Sequence, residues 1–484
     1  MQNIDFDNLA QYRENNRLEV KSAEKGLPKS LWETYSAFAN TSGGNIILGV
    51  KENKDHSFYI TGVTGQDRLL KEFWDTINNR KKVSVNILTD SMVSVDKAMG
   101  KDVICIAVPR ANRTDKPIYI DNDIFSGTFR RNGEGDYHCT REETTNMLRD
   151  QSAISQDSKL LEEMDINVLD QDAVKRYRTI FSNVRPGHVW TTLADELFLE
   201  KIGAIAHGRE DGKLHPTGAG LLMFGSEYSI VREYGSYFLD YREELSPSTR
   251  WTDRVISSSG DWSGNVFDFF FRIYGKLVSG IKIPFKLKQE TRIEDTPAHK
   301  AIREALANAL IHANYYGRRG IVIIRKQGSI SISNPGTLRI APEEAISGGL
   351  SDPRNSILIK MFNLINIGER AGSGLPEIFS VWKQNGWKTP ELKESFDPDR
   401  TELLISLPVS NQKSNQKSNQ KSNQKSNQKI LELMKNNPAI TIKQMMSEAG
   451  LSESGIKKIV KVLKTNGIIR RVGSDKAGHW EVME

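Results

Sequence analysis

The sequence predicts a multidomain α+β protein, and three observations carry that reading. At 484 residues the chain is too long for one hydrophobic core, which makes about three to four domains the expectation. Helical and strand-like apolar patterns alternate along most of its length. Five tandem copies of Ser-Asn-Gln-Lys, from Ser410 to Lys429, then interrupt that pattern with a segment that can bury nothing.

Residues 1–145 open with a helix-like stretch, followed by LEVKSAEKG and a helix around Pro28 to Asn40. The turn Ser42-Gly43-Gly44 leads into the apolar strand NIILGV; DVICIAVP adds a strand and PIYIDNDIFSGTFRRNG a hairpin, completing an α+β domain. Residues 150–282 mix helical and strand-like segments, among them HPTGAGLLMFG and SYFLDYRE. No catalytic constellation stands out there. His207 and His215 read as surface or packing residues, and the stretch is expected to form a connecting α/β domain.

Residues 283–408 form a third folded region, and 410–429 are a flexible, positively charged linker. Residues 430–484 have the pattern of a winged helix: ILELMKNN, KQMMSEAG and SGIKKIVKVLKTNG as helices, then IIRRVGSDKAGHWEVM as two strands around a glycine-containing wing. In the third helix Ile456, Ile459, Val460 and Leu463 share the apolar stripe, while Lys457, Lys458, Lys461 and Lys464 lie away from it, where phosphates could be met. Arg470, Arg471 and Lys476 would arm the wing.

Charge and cysteine usage narrow the function classes. From Ser410 to the end there are fourteen Lys or Arg against six Asp or Glu, a net +8, which leaves −2 for the rest of a chain whose total is +6. Basicity gathered in one terminal module points to a polyanion partner. No apolar run approaches the roughly 18 residues needed to span a bilayer, so no membrane partner is expected. The polar start MQNIDFDNLAQYRENN does not read as a secretory signal, and Cys105 and Cys139 stand far apart without a Cys/His cluster. The expected setting is the reducing cytoplasm.

The richest motif is REALANALIH, Arg303 to His312. Glu304 and Asn308 are four residues apart among helix-forming alanines, which puts both side chains on one helix face. An Asn oxygen suits Mg²⁺, and a Glu can orient or deprotonate a water. Two glycine-bearing segments follow, Asn334-Pro335-Gly336 and Gly368-Glu369-Arg370-Ala371-Gly372-Ser373-Gly374. Glycines let backbone amides approach phosphates, so the three segments together read as a nucleotide site.

In that order the segments resemble the GHKL ATPase fold of histidine kinases and gyrases, over roughly Ile283 to Pro408. The resemblance implies an α/β sandwich that binds ATP with Mg²⁺. Glu304 would be the water-activating base and Asn308 the Mg²⁺ ligand; Asn334 and Gly336 would lie on the adenine side. Gly368, Arg370, Gly372 and Gly374 would belong to the lid, and Thr401 would be a hydroxyl near the adenine. One departure stands out: the adenine box usually begins with Asp, and here Asn334 takes that place. An amide oxygen can still accept the adenine amino group's hydrogen bond.

The N-terminal domain carries a second constellation. Glu14 and Glu19 are five residues apart, Lys21 follows two later, and Glu52 sits just beyond NIILGV. Three converging carboxylates could hold one or two divalent metals that activate water and steady a leaving phosphate oxygen, with a lysine offsetting charge. The stretch LEVKSAEKGLPKSLWETYSAFANTSGGNIILGVKEN resembles the AlbA-like domain of the Schlafen superfamily, over about Asn8 to Arg141. In its nucleases the acids are a Glu pair five apart and an Asp after the Gly-Val strand. Glu14 and Glu19 match the pair, and Glu52 takes the third place with an arm longer by one methylene. Arg130 and Arg131, beside Phe129, are candidates for nucleic-acid contact.

The whole order resembles bacterial proteins that join a Schlafen AlbA-like domain, a GHKL-type domain and a C-terminal winged helix. The leading expectation is an ATP-binding, nucleic-acid-binding protein with a metal-dependent nuclease site aimed at RNA. The alternative is an ATP-responsive DNA-binding transcription regulator without nuclease chemistry. A motor lacks support, since no Walker-type glycine-lysine loop is present. GHKL domains often dimerise, so a homo-oligomer is compatible with the sequence.

Overall fold

A computed structural model describes residues 14–279, 296–368, 374–408, 427–465, 467–473 and 478–483. Arg370, Gly372 and Lys476 therefore lie outside the described residues. The chain divides into two units, Met1–Pro408 and Val409–Glu484.

The first unit begins with a four-stranded sheet in the order Leu18–Lys21, Gly44–Leu48, Lys101–Val108, Val93–Ala98. The first pair is parallel and the others antiparallel. Alternation along the strands splits their apolar residues between two cores. Ile46, Leu48, Ile104 and Ile106 pack with Tyr35 and Phe38 of the helix Leu31–Asn40 on one face, and Ile47 and Val103 pack with Val20 and Phe58 on the other.

NIILGV is not one continuous strand. Gly49, at φ +91°, breaks it, and Val50–Glu52 pairs instead with Phe58–Ile60. The expected hairpin is also displaced. Between its two arms Tyr119 and Thr128 form an isolated bridge, and the ladder forms between Phe129–Asn132 and Gly135–His138.

Downstream, six strands form one mixed sheet in the order Asp253–Ile256, Leu239–Glu244, Ile321–Lys326, Ser329–Pro335, Arg400–Ser406, Glu391–Ser395. Leu239–Glu244 and Ile321–Lys326 run parallel, so the sheet crosses the expected 282/283 boundary. A single apolar core extends from Leu161 to Leu407. The connecting stretch thus shares sheet and core with the region after it.

Against this sheet lies the helix Pro297–His312, six residues longer at its start than the motif suggested. Thr296 caps it, Pro297 occupies its first turn, and Ala298, Ala301, Ala305, Ala307 and Ala309 are buried. Their small side chains let the helix approach the sheet closely.

The second unit has helices at 427–436, Ile442–Ala449 and Glu453–Thr465, followed by an antiparallel pair, Ile469–Val472 with His479–Val482. Thr441 and Gln444 form a capping box, and Gly450 in the left-handed region ends the helix between them. Ile430, Met434, Ile440, Met445, Ile456, Leu463 and Ile469 make the core. The expected winged helix is present, and its first helix reaches back into the last Ser-Asn-Gln-Lys copy.

Candidate functional site

A cavity of about 920 Å³, partly open to solvent, lies between the helix Pro297–His312 and the six-stranded sheet. Glu304, Asn308 and His312, one turn apart on the helix, all line it. Across from them stand Asn334 and Thr401, direct partners in adjacent antiparallel strands. Ile332, Leu338, Ile340, Leu350, Leu392 and Leu403 supply apolar walls. Five residues singled out in the sequence, Glu304, Asn308, Asn334, Gly374 and Thr401, are thereby gathered into one cavity.

At two glycines beside these groups an added side chain would force a neighbour to move. At Gly374 an added Cβ would lie 2.4 Å from Glu304 Oε1 and 2.7 Å from Asn308 Nδ2. At Gly336, with φ +91°, it would lie 2.8 Å from Arg354 Nη1. Thr401 Oγ1 donates to the Gly336 carbonyl at 2.8 Å, tying strand to turn. Asn334 Nδ2 donates to the Pro335 carbonyl at 3.2 Å, which leaves its amide oxygen as the group able to accept from a ligand. Gly368 is not among the residues lining the cavity; a Cβ added there would lie 3.6 Å from Ile311 Cδ1.

Sequence reasoning missed the charged end of this cavity, formed by Arg339, Asp352 and Arg354. Arg354, 2% exposed, donates to Asp150 through Nε at 2.9 Å and Nη2 at 2.7 Å, and to the carbonyls of His312 at 2.5 Å and Thr337 at 3.0 Å. Arg339 pairs with Asp150 and Asp352, and Arg113 with Asp352. Burial alone would raise the Asp150 carboxyl, but Arg354 and Arg339 outweigh it and hold that group below the usual carboxylate range. Burial, helped by Arg354 and Arg339, pushes His312 down to about 4, so its ring is neutral near pH 7. These residues follow no local motif.

The N-terminal acids occupy a different place. Glu14 Oε1 accepts from the Val20 amide at 3.0 Å. Burial raises the Glu14 carboxyl to about 7, against that hydrogen bond, with the nearby charges of Glu19 and Glu52 adding to the rise. Glu14 thus lies within electrostatic reach of both Glu19 and Glu52. Glu19 is neutralised by Lys21 at 2.7 Å and Arg131 at 2.8 Å, and Glu52 meets His56 Nδ1 at 3.0 Å. Among the described residues, no group of three or more His, Cys, Asp or Glu is arranged to hold a metal ion. As placed, the donor set does not fit a metal: its members are turned to Lys21, Arg131, His56 and a backbone amide.

Arg131 is not at a nucleic-acid surface. It is 2% exposed, pairs with Glu19 and with Asp136 at 2.9 Å, donates to the Asn15 carbonyl and lies 5.1 Å from the Phe38 ring centre. Strand alternation explains this, because Phe129 and Arg131 share the inward face. Arg130 is also mostly enclosed, 3.1 Å from Glu143 with its side chain 14% exposed.

In the second unit Lys457, Lys458, Lys461 and Lys464 are all exposed. Lys457 is engaged by Glu453 at 2.7 Å, Arg470 by Glu481 at 2.5 Å, and Arg471 stacks on Trp480 at 4.7 Å. Both cysteines are free, Cys139 being buried. Among the described residues no helix is long and apolar enough to cross a membrane.

Four family models match successive parts of the chain. Residues 14–140 match the family model "Schlafen, AlbA_2", and 145–240 match a domain of unknown function, DUF8451. Residues 319–403 match "Putative ATP-dependent DNA helicase recG C-terminal", and 424–470 match "Winged helix-turn-helix DNA-binding". No curated protein matches the chain. Among solved structures, the DIP2311 protein from Corynebacterium diphtheriae is 17% identical over 97% of this chain and 92% of that one, with a TM-score of 0.41. The N-terminal domain of a "Putative ATP-dependent DNA Helicase RecG-related Protein" from Nitrosomonas europaea is 28% identical over 28% of this chain and 90% of that one, with a TM-score of 0.23. In composition the chain resembles a Schlafen AlbA-like domain joined through a connecting domain to a GHKL-type ATPase domain and a C-terminal winged helix. A GHKL-type domain suggests nucleotide binding in general, and a winged helix supports binding to DNA.

Proposed function

We propose that the protein binds ATP with Mg²⁺ in the central cavity and uses that nucleotide to control binding of nucleic acid, with duplex DNA held by the winged helix. One observation carries the reading: residues from four separate segments of sequence, chosen for nucleotide chemistry, line a single cavity. The donor set fits the cofactor. Asn308 would hold Mg²⁺ through its amide oxygen, and Glu304 would orient water. Bound there, Mg²⁺ would neutralise triphosphate charge. Asn334 and Thr401 would meet the purine edge between the leucine and isoleucine walls. A gel shift of the full chain on duplex DNA, with and without MgATP, tests this. Binding that depends on nucleotide and is lost when residues 430–484 are removed supports it; binding indifferent to both contradicts it.

A second reading, metal-dependent cleavage of RNA by Glu14, Glu19 and Glu52 with Lys21, is supported by the electrostatic reach of Glu19 and Glu52 to Glu14. It requires Glu19 to leave Arg131 and Lys21. Mg²⁺- or Mn²⁺-dependent cleavage that Glu19→Ala abolishes supports it. A wild type that cuts neither RNA nor DNA with either metal removes it.

A further inference from the structure

One ion pair grips the wall of the central cavity from outside it. Arg110 follows the strand Lys101–Val108, and Glu394 lies in the edge strand Glu391–Ser395. The pair is bidentate, with Nη1 to Oε2 at 2.5 Å and Nη2 to Oε1 at 3.1 Å, and its side chains are only 11% and 8% exposed. The peptide of Leu338 runs between them. Its N–H donates to Glu394 Oε1 at 2.7 Å, and its carbonyl accepts from Arg110 Nη2 at 2.6 Å.

Leu338 lines the central cavity, together with Thr337 and Arg339. The same three residues line a second cavity, about 610 Å³, on whose walls Arg110, Arg113 and Lys116 stand. The segment 337–339 is thus a shared partition. Neither Arg110 nor Glu394 is among the residues lining the central cavity, so removing the pair deletes no contact to a molecule bound there.

Arg110 is held on its other side too. A Cβ at Gly43 would lie 2.8 Å from the Val108 carbonyl and 2.9 Å from the Arg110 amide. Gly43 directly precedes the strand Gly44–Leu48, which pairs with Leu18–Lys21, the strand of Glu19 and Lys21. A displacement of Leu338 therefore has a closely packed route into the N-terminal sheet. Separating a buried bidentate pair leaves a charge uncompensated, so the wall and Arg110 are held to move together.

We propose that the Arg110–Glu394 pair, closed around both backbone groups of Leu338, couples occupancy of the central cavity by a nucleoside triphosphate to the N-terminal domain. This rests on the nucleotide reading above and adds its route of regulation. By linkage, the N-terminal side must equally influence nucleotide affinity.

The test measures MgATP binding to the full chain by titration calorimetry, and hydrogen exchange of residues 14–48 and 101–113 with and without MgATP. Wild type is expected to bind, with exchange in those segments changing about fivefold or more. The double variant Arg110→Ala/Glu394→Ala, shown to be folded by circular dichroism, should bind about fivefold or more weakly and lose the exchange response. Arg110→Lys, which keeps the charge but not the fork, should fall between, and it decides the matter if the double variant does not fold. Nucleotide binding without an exchange change in wild type overturns this proposal alone, as does a folded variant that keeps both affinity and response. No binding by wild type overturns the nucleotide reading and this proposal with it.

Discussion

Replacing Gly374 with alanine inserts one methyl at the point where the helix Gly374–Gln384 meets Glu304 and Asn308. The new carbon would lie 2.4 Å from Glu304 Oε1, 2.7 Å from Asn308 Nδ2 and 2.9 Å from Glu304 Cγ. Comfortable contact begins near 3.5 Å, so the closest approach is short by roughly 1 Å. Either the two side chains turn away or the helix withdraws, and both outcomes move the groups assigned to Mg²⁺ and water. Overpacking of this kind costs about 1–3 kcal/mol. The better helix propensity of alanine returns at most about 1 kcal/mol, so the free protein should lose up to about 2 kcal/mol of stability and still fold. If about 1.4–2.8 kcal/mol falls on the bound state, MgATP affinity drops roughly ten- to hundredfold. Titration calorimetry reads this directly. A folded Gly374→Ala protein with wild-type affinity would refute the placement of the nucleotide beside Glu304 and Asn308.

Three further outcomes follow from the same geometry. Arg354→Ala takes from Asp150 its shorter ion pair, leaving Arg339 at 3.3 Å, and should destabilise the first unit by up to about 3 kcal/mol in urea unfolding; an unchanged midpoint would contradict the internal role of that pair. Glu14, raised from 4.5 to about 7, gives stability that is fully present below about pH 4.5 and is lost as pH rises through about 7. Asp399, also raised to about 7, and Lys116, lowered to about 7, titrate in the same range, so only the difference between wild type and Glu14→Gln isolates Glu14. Melting curves of the two proteins should diverge between pH 5 and 8, and parallel curves would exclude the shift. Finally, Lys458→Ala combined with Lys461→Ala should weaken duplex binding and reduce the slope of log affinity against log salt by about 2, near 0.9 per phosphate contact. An unaltered slope would move the DNA surface elsewhere.

Local chemistry was legible in the sequence where spacing alone fixes direction. Glu304 and Asn308 face the cavity because four residues make about one helical turn, and the alanines around them are buried for the same reason. The winged helix was legible too, since its caps and apolar stripe are local. Non-local pairing was not. Leu239–Glu244 joins Ile321–Lys326 across some eighty residues, and no periodicity announces that a connecting stretch will lend strands to its neighbour's sheet. Arg131 was misplaced because a charge pair in sequence looks like surface. Counting by two from Phe129 would have turned it inward, though not revealed Glu19 and Asp136 as its partners. Arg339 and Arg354 escaped notice because their roles come from Asp150, nearly two hundred residues away in sequence.

Calorimetric titration of MgATP into the full chain, wild type beside Asn308→Ala, bears most directly on the central cavity. Saturable one-site binding by wild type, weakened at least about tenfold in a folded Asn308→Ala protein, is the expected result. Absence of binding by wild type, or equal affinity in the two proteins, would contradict it.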